Sequence, residues 1–206
     1  MIDLHGVSGL NVSRETEDQL NTFFQLLEKW TQKINLVAPK SMENAWTRHF
    51  LDSAQVFAFR SCDAGTWVDF GSGAGFPGLV CAILAKEKYP DLDFTLVESD
   101  ARKSIFLRTV VRELGLGTQV LNQRIENIGS LNADIVSARA VASLDKLLPL
   151  AKQHLSQDGK CLFLKGERWQ KEVSEARKTW NFSMTNHKSK TDDNAVILEI
   201  GDISHV

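Results

Sequence analysis

An alternation of strand-like and helix-like segments, which begins at residue 66, constrains the fold of this 206-residue chain more than any other feature. Apolar runs typical of strands lie at 66–70, 94–98, 119–122, 134–137 and 160–164. Segments with helical spacing of apolar residues lie at 76–88, 103–114, 144–154 and 169–179. Such an alternation predicts an α/β fold in which helices cover both faces of a mostly parallel sheet.

The end of the chain breaks this alternation. Two further strand-like segments, 181–187 and 195–200, flank a polar run. Strands joined by a short polar loop form antiparallel hairpins, and a hairpin here has only an edge of the sheet to join. We therefore expect an antiparallel hairpin at one edge.

A helical extension is predicted ahead of the sheet. Apolar residues at i, i+3, i+4 and i+7 spacing indicate an amphipathic helix; they are Leu20, Phe23, Phe24, Leu27 and Trp30. Ser13 offers capping chemistry at its start, and Ser41 is predicted to cap a second helix that runs to about residue 59. We divide the chain into this extension, residues 1–60, and an α/β domain, residues 61–206.

The composition excludes several classes of protein. The three cysteines are far apart and odd in number, which is typical of a reducing compartment, so we expect a cytoplasmic protein. No histidines have metal-ligand spacing, so no metal site is expected. The longest apolar run, 78–85, is too short to cross a bilayer. With a formal net charge of −2, any nucleic-acid partner must be held by a local basic patch.

A glycine-rich turn is predicted between the first strand and the helix that follows it. Gly71, Gly73, Gly75 and Gly78 lie in this turn. Glycine allows the backbone a positive φ and a close approach to a ligand. Ligands of open α/β sheets bind beyond the carboxyl ends of the strands, so the turn should border a binding pocket.

The spacing of these glycines fits two cofactors. Gly73, Gly75 and Gly78 match the dinucleotide fingerprint. Gly71, Gly73 and Gly75, preceded by Asp69, match the S-adenosylmethionine turn of class I methyltransferases. A carboxylate beside the turn suits a cofactor that has a free α-amino group and no pyrophosphate. Asp69 therefore favours S-adenosylmethionine.

A second carboxylate, Glu98, ends the second predicted strand. There it can accept hydrogen bonds from the hydroxyls of a ribose. The dinucleotide fingerprint requires an acidic residue about 20 residues after its glycines, and Asp93 lies near that position. Glu98 is better placed, however, because it directly follows an apolar strand. Both cofactors contain ribose, so Glu98 does not decide between them.

Five segments together resemble one known family. They are 35–37, 48–53, 69–78, 137–140 and 164–166, in an order and with separations typical of the bacterial small-subunit ribosomal RNA guanine-N7 methyltransferases, the RsmG or GidB family. The resemblance extends from about residue 20 to residue 200. It implies a Rossmann-like class I methyltransferase fold, S-adenosylmethionine as methyl donor, and N7 of the guanine at position 527 of 16S rRNA as acceptor.

The resemblance also implies site residues. Cofactor contacts fall on Gly71 and Phe76 in the turn, on Ile125 and Glu126 after the third strand, and on Arg139 after the fourth. The glycine turn and the end of the second strand add Asp69, Gly73, Gly75 and Glu98 as candidate cofactor contacts. Candidate contacts to RNA are Arg139, Lys165, Arg48 and His49. The partner implied is 16S rRNA or the 30S particle, and we expect the enzyme to be a monomer.

The implied chemistry needs no catalytic base, because guanine N7 carries a lone pair and no proton. Alignment of the donor and the acceptor is then the main task of the protein. No nucleophile–base pair is evident in the sequence. N7 is closed to side chains within an A-form helix, so the target base should be unpaired or extruded, and Phe76 or Arg139 can stack on it.

Basic residues cluster in two places. Eight lie between residues 160 and 190, against three acidic residues; they are Lys160, Lys165, Arg168, Lys171, Arg177, Lys178, Lys188 and Lys190. Lys165 stands out because it ends an apolar strand beside the predicted pocket. A second group has helical spacing and is interpreted as a solvated helix face; it consists of Arg102, Lys103, Arg108 and Arg112.

Three other functions remain open at this point. A methyltransferase for a small molecule would need a closing lid and no basic rim. An NAD-linked oxidoreductase would need a proton donor near the nicotinamide, and the only tyrosine, Tyr89, has no lysine at the spacing of a tyrosine–lysine pair. A non-catalytic module that binds a nucleotide or the ribosome is the third.

Overall fold

The computed structural model describes residues 12–206, and its centre is a seven-stranded sheet. The strands are β1 Gly65–Phe70, β2 Leu92–Val97, β3 Gln119–Leu121, β4 Ala133–Arg139, β5 Leu155–Lys165, β6 Trp180–Lys188 and β7 Val196–His205. Their order is β3-β2-β1-β4-β5-β7-β6. Neighbouring strands are parallel except that β7 is antiparallel to both β5 and β6. The predicted parallel sheet with an antiparallel edge hairpin is thus confirmed.

Helices connect the strands and cover both faces of the sheet. The α-helices are α1 Arg14–Thr31, α2 Pro39–Met42, α3 Asp52–Ala58, α4 Gly78–Lys88, α5 Ala101–Glu113, α6 Leu144–His154 and α7 Trp169–Ala176. A π-helix, Trp46–Leu51, joins α2 to α3, and a short 3₁₀-helix, Ile125–Asn127, follows β3. Within residues 12–206, no helix has both the length and the apolar character to span a bilayer.

The N-terminal extension differs from its prediction in the second helix and in the cap of that helix. Ser13 caps α1 as expected, because its side chain accepts a hydrogen bond from the backbone N–H of Thr16. The predicted second helix, however, is divided into α2, the π-helix and α3. Ser41 does not cap it: Pro39 is the first residue of α2, where proline is favoured, and the Ser41 hydroxyl donates instead to the carbonyl of Ala38.

Two hydrophobic clusters form the core, one on each face of the sheet. The first joins the extension to α4 and α5, with Phe23, Phe50, Phe76 and Phe106 buried together. The second lies under α6 and α7. The extension and the sheet therefore share one core, and α1 and α3 both pack against α4.

Gly78 sets how closely α4 approaches the sheet. A Cβ atom built at Gly78 would lie 2.4 Å from Cδ2 of Leu96 on β2 and 2.7 Å from Cβ of Asp69 on β1. Only a residue without a side chain allows this packing. The helix that follows the glycine-rich turn is thereby fixed against the two strands that end beside it.

We predict that Gly78→Ala lowers the free energy of unfolding by about 1–3 kcal/mol, because the steric overlap outweighs the better helix propensity of alanine, which is about 1 kcal/mol. Urea denaturation measures this. Gly117→Ala is the matched control, since a Cβ there meets no atom within 4 Å. Equal stability of the two variants would contradict the close packing of α4.

Candidate active site

A cavity of about 520 Å³ opens at the carboxyl edge of the sheet. Gly71 after β1, Val97 and Ser99 around the end of β2, and Ile125 and Glu126 after β3 line it. The first residues of α6 and the segment after β4 close its other side. Its volume is within the range of about 300–1,000 Å³ typical of small-molecule sites. Three of the predicted cofactor residues, Gly71, Ile125 and Glu126, thus line one cavity.

The glycine turn has the backbone conformation that the sequence predicts. Gly71, Gly73 and Gly75 have φ angles of 58°, 56° and 94°. A Cβ atom at Gly71 would lie 2.7 Å from Cγ2 of Val141, which also lines the cavity. Any side chain at this position would overlap Val141, so the turn borders the cavity with bare backbone, which we call the Gly71 cradle.

Glu98 fixes the turn to the end of β2. One carboxylate oxygen, Oε2, accepts from the backbone N–H of Gly73 at 2.8 Å, and the other, Oε1, accepts from Asp100 N–H at 2.7 Å. Its side chain is buried, and its neighbours Val97 and Ser99 line the cavity. Each oxygen keeps a second lone pair, which can accept a hydrogen bond from a ribose hydroxyl. The contact of Glu98 with a ribose stays a prediction.

Asp69 is fully buried beneath the turn. Its Oδ1 accepts a hydrogen bond from the Ser137 hydroxyl at 2.6 Å, and that hydroxyl oxygen accepts from the indole N–H of Trp67 at 2.9 Å. Its Oδ2 has no hydrogen-bond partner among the described residues. Burial raises the pKa of Asp69 to about 6, although the Ser137 hydroxyl acts in the opposite direction. Its predicted role toward an α-amino group stays a prediction.

The loop after β3 is held by the end of α6. The ring Nε2 of His154 lies 3.2 Å from the carbonyl of Ile125, and the Gln153 amide donates to the carbonyl of Ile128 at 2.8 Å. His154 is fully buried. These bonds position Ile125 and Glu126 at the cavity wall, a role that sequence reasoning did not assign to His154 or Gln153.

Arg139, at the end of β4, connects the sheet to the N-terminal extension. Its guanidinium donates to the carbonyl of Arg48 at 2.8 Å and to Nδ1 of His49 at 2.6 Å, and it lies 3.5 Å from Oδ2 of Asp52. It also lies 5.2 Å from the ring centroid of Phe76, within cation–π range. The predicted site residues Arg48, His49, Phe76 and Arg139 are therefore neighbours.

The π-helix places the 48–53 segment at this point. Its i→i+5 pattern is rare and is often found at functional sites. It directs the carbonyl of Arg48 and the ring of His49 toward Arg139, while the Arg48 side chain stays exposed. Asp52, the first residue of α3, follows on the same side.

His49 is neutral in this setting. Burial, together with the positive charges of Arg139 and Arg48, lowers the pKa of His49 to about 4. The neutral ring can then accept from Arg139 through Nδ1, which places its proton on Nε2. The ring also stacks on Phe76, with centroids 5.0 Å apart.

Phe76 lies in the aromatic core and does not line the cavity. Its ring is 4% exposed and packs between Phe23 and His49. Any contact of Phe76 with the cofactor must therefore involve its backbone or a thin edge of the ring. The predicted stacking of Phe76 on an extruded base does not fit this burial, because neighbouring side chains cover both faces.

A second, smaller cavity of about 270 Å³ lies on the other side of the segment that follows Arg139. Lys165 lines it, but its ammonium group is already paired: it donates to Glu172 at 2.8 Å and to the carbonyl of Ala142 at 2.7 Å. Lys165 is 8% exposed. In this structure it holds the segment between the two cavities, and its predicted contact to RNA stays a prediction.

The structure divides the basic segment 160–190 between two edges of the sheet. Arg168, Lys188 and Lys190 follow or end strands at the carboxyl edge, beside the cavities. Lys160 pairs with Glu199, and Lys178 pairs with Glu175. The segment is thus not one continuous patch.

The second basic group lies on α5, and three of its members have local partners, as expected for a solvated helix face. They are Arg102 with Asp100, Arg108 with the carbonyl of Val120, and Arg112 with Glu113.

The residues around the larger cavity fit S-adenosylmethionine. Gly71 presents bare backbone to the cavity, since Val141 leaves no space for a side chain there, and Asp69 has an orphaned carboxylate oxygen beneath the turn. Across residues 12–206, no group of three His, Cys, Asp or Glu side chains is arranged to hold a metal ion.

Comparison with known proteins identifies the family. The family model described as GidB, rRNA small subunit methyltransferase G, matches residues 16–196. The chain belongs to this family. A protein of Ruegeria pomeroyi named ribosomal RNA small subunit methyltransferase G is 51% identical over 96% of each chain. A protein of a second Ruegeria strain with the same name is 48% identical over the full length of both chains.

Solved structures support the class I methyltransferase fold. An S-adenosylmethionine-dependent methyltransferase from Aquifex aeolicus aligns with a TM-score of 0.60 at 13% identity, covering 86% of this chain and 97% of that chain. A methyltransferase from Methanococcus maripaludis aligns with a TM-score of 0.57 at 14% identity, covering 93% and 95%. The predicted fold is confirmed, and family membership confirms an S-adenosylmethionine-dependent rRNA methyltransferase over a dinucleotide-dependent oxidoreductase.

The pKa of Asp69 leads to a pH prediction. The folded protein keeps the Asp69 proton up to about pH 6, whereas an unfolded aspartate loses it near 3.8, so stability falls as pH rises through this window. Relative to Asp69→Asn, the wild-type free energy of unfolding should fall by about 2 kcal/mol between pH 4 and pH 7. Urea unfolding of both proteins across this range measures the difference. A difference that does not change with pH would contradict the burial of this carboxylate.

Proposed function

We propose that this protein transfers a methyl group from S-adenosylmethionine to N7 of a guanine in 16S rRNA, the guanine at position 527 by the resemblance described above. The observation that carries the proposal is the placement of the Gly71 cradle, the 520 Å³ cavity and Arg139 at one edge of the sheet, in a chain of the rRNA small subunit methyltransferase G family.

The larger cavity is where the cofactor would be held. Gly71 would present its bare backbone to the cofactor, and the loop at Ile125 and Glu126 forms another wall of the cavity. Glu98 supports the turn through Gly73. The bound cofactor supplies an electrophilic methyl group on a sulfonium.

The residues at the site suit a reaction that requires alignment and no proton transfer. N7 of guanine is unprotonated, so the protein need not remove a proton from it. The described residues at this edge are engaged in positioning bonds: His49 with Arg139, Lys165 with Glu172, and Asp69 with Ser137. Rigid placement of this kind is how proximity and orientation lower a barrier.

Recognition of RNA would use the carboxyl edge around the smaller cavity. Arg48 has an exposed side chain beside Arg139, and Arg168, Lys188 and Lys190 lie at the same edge. A local group of cations is what the overall net charge of −2 requires of an RNA-binding surface.

The test is methyl transfer from labelled S-adenosylmethionine to 30S particles and to 16S rRNA from cells that lack this modification. We expect one methyl group per particle, at N7 of a single guanine, located by chemical cleavage at 7-methylguanosine. Equal incorporation into unrelated RNA, or transfer to another atom, would contradict the proposal.

Gly73→Asp should abolish binding of S-adenosylhomocysteine in calorimetry and with it methyl transfer. The new carboxylate would lie in a turn with a φ of 56° beside the Glu98 carboxylate, so backbone strain and like-charge repulsion act together. Gly129→Asp is the control, because that glycine is exposed and nothing lies within 4 Å of its Cβ position. Unchanged affinity in Gly73→Asp would show that the cofactor binds elsewhere.

Arg48→Gln should weaken binding to the 30S particle and reduce the slope of log affinity against log salt by about 1, the effect of losing one phosphate contact. Lys178→Gln removes an exposed, Glu175-paired cation near the amino edge of the sheet and should leave both quantities unchanged. If the two variants behave alike, the RNA surface is not at the carboxyl edge.

A further inference from the structure

The smaller cavity has the position of an acceptor pocket. It and the larger cavity both open at the carboxyl edge, and both are lined by Ala142, which follows β4. Arg139 and Ala140 line the smaller one. Its volume of about 270 Å³ is below the range of about 300–1,000 Å³ for larger ligands, so it suits a single base.

The backbone between the cavities is strained. Ala140 has a φ of 55°, a conformation that residues other than glycine rarely adopt, and its side chain is exposed at the cavity. Strain of this kind persists only where the surroundings enforce it, and it is common at functional sites. The segment is held from both sides. On one side Arg139 bonds to Arg48 and His49, and on the other Lys165 donates to the carbonyl of Ala142.

Asp52 presents a fixed carboxylate to this cavity. Its Oδ1 accepts from the Thr191 hydroxyl at 2.9 Å and lies 3.4 Å from the Ser189 hydroxyl. Its Oδ2 lies 3.5 Å from the Arg139 guanidinium. Burial raises the pKa of Asp52, and the Thr191 hydroxyl and the Arg139 charge act in the opposite direction. Its side chain is only 18% exposed. The carboxylate is therefore held in orientation by residues from two other parts of the chain, the end of β4 and the loop between β6 and β7.

Glu172 is the other carboxylate that lines the cavity, and one of its oxygens is already engaged. Its Oε2 accepts from the Lys165 ammonium at 2.8 Å and from the backbone N–H of Leu144 at 2.9 Å. These bonds fix the start of α6. The two carboxylates differ in their ion pairs: Glu172 lies 2.8 Å from the Lys165 ammonium, whereas Asp52 lies 3.5 Å from the Arg139 guanidinium. The charge of Asp52 is therefore less compensated, which favours Asp52 as the acceptor of hydrogen bonds from a ligand.

Guanine has the complementary chemistry. Its Watson–Crick edge carries two adjacent donors, N1–H and N2–H, whereas adenine carries an unprotonated N1 that a carboxylate would repel. An extruded base is read through this edge. Methylation at N7 also makes the ring cationic, and a nearby carboxylate stabilises that charge as it develops.

We propose that Asp52 is the residue that selects guanine in the smaller cavity, accepting hydrogen bonds from N1–H and N2–H of the target base. This inference rests on the proposed function. Asp52 then has two effects: it discriminates against other bases, and it stabilises the positive charge of the methylated ring.

The test compares two acceptors: 30S particles reconstituted with 16S rRNA that carries either guanosine or inosine at the target position. Inosine lacks the 2-amino group and keeps N7. We expect the wild-type kcat/KM to be about 10-fold lower for inosine, the effect of one charge-assisted hydrogen bond. Because this comparison uses the wild-type enzyme, it does not depend on the folding of any variant.

Asp52→Asn should lower kcat/KM for guanosine by about 10- to 100-fold and abolish most of the discrimination against inosine, with unchanged affinity for S-adenosylhomocysteine. Thr191→Val is the matched control. It removes a hydroxyl that holds Asp52 but keeps the carboxylate, so it should keep the discrimination even if the rate falls.

Equal wild-type rates on the two acceptors, or full discrimination in Asp52→Asn, would overturn this inference while leaving the methyltransferase function intact. Absence of transfer to the guanosine particle by the wild-type enzyme would instead refute the proposed function itself. The two failures are therefore distinguishable.

Discussion

The candidate site depends on the bonds of one guanidinium group. Arg139 belongs to the sheet, and its side chain reaches four groups of the N-terminal extension and the turn: the carbonyl of Arg48, the ring of His49, the carboxylate of Asp52 and the face of Phe76. A planar guanidinium group donates hydrogen bonds to several acceptors in fixed directions, which a lysine ammonium group cannot do. The segment after β4, which separates the two cavities, takes its position from these bonds.

The fold could be predicted from the sequence because it depends on local periodicity. Helix α6 has the predicted limits, and the strands differ from their predictions mainly at the ends, as with β5, which begins at Leu155. The glycine turn was also predictable, since positive φ angles select glycine. By contrast, the π-helix Trp46–Leu51 has no sequence signature of its own, and a continuous helix was expected there.

The site was only partly predictable, because its bonds join residues that are distant in sequence. Asp52 is one residue of the segment that indicated the family, yet its partners Thr191 and Ser189 lie in a polar run that predicts only a hairpin loop. Lys165 and Phe76 were predicted to contact ligands, but the structure gives one an ion pair with Glu172 and the other a place in the core. A sequence shows that a residue lies near the edge of the sheet. It does not show which neighbouring group that residue bonds to or packs against.

Two buried groups of the site have opposite effects on stability between pH 4 and pH 6.5. His49, whose pKa is lowered to about 4 by burial and nearby arginines, costs the folded state stability as pH falls below 6.5, because the unfolded chain gains the proton first. Asp69, whose pKa is raised to about 6 by burial, costs stability as pH rises toward 6. Each effect is about 2–3 kcal/mol within this range, so the two contributions largely cancel. A neutral histidine for Arg139 and a buried carboxylate beneath the turn can therefore coexist because each is costly at the opposite end of this pH range.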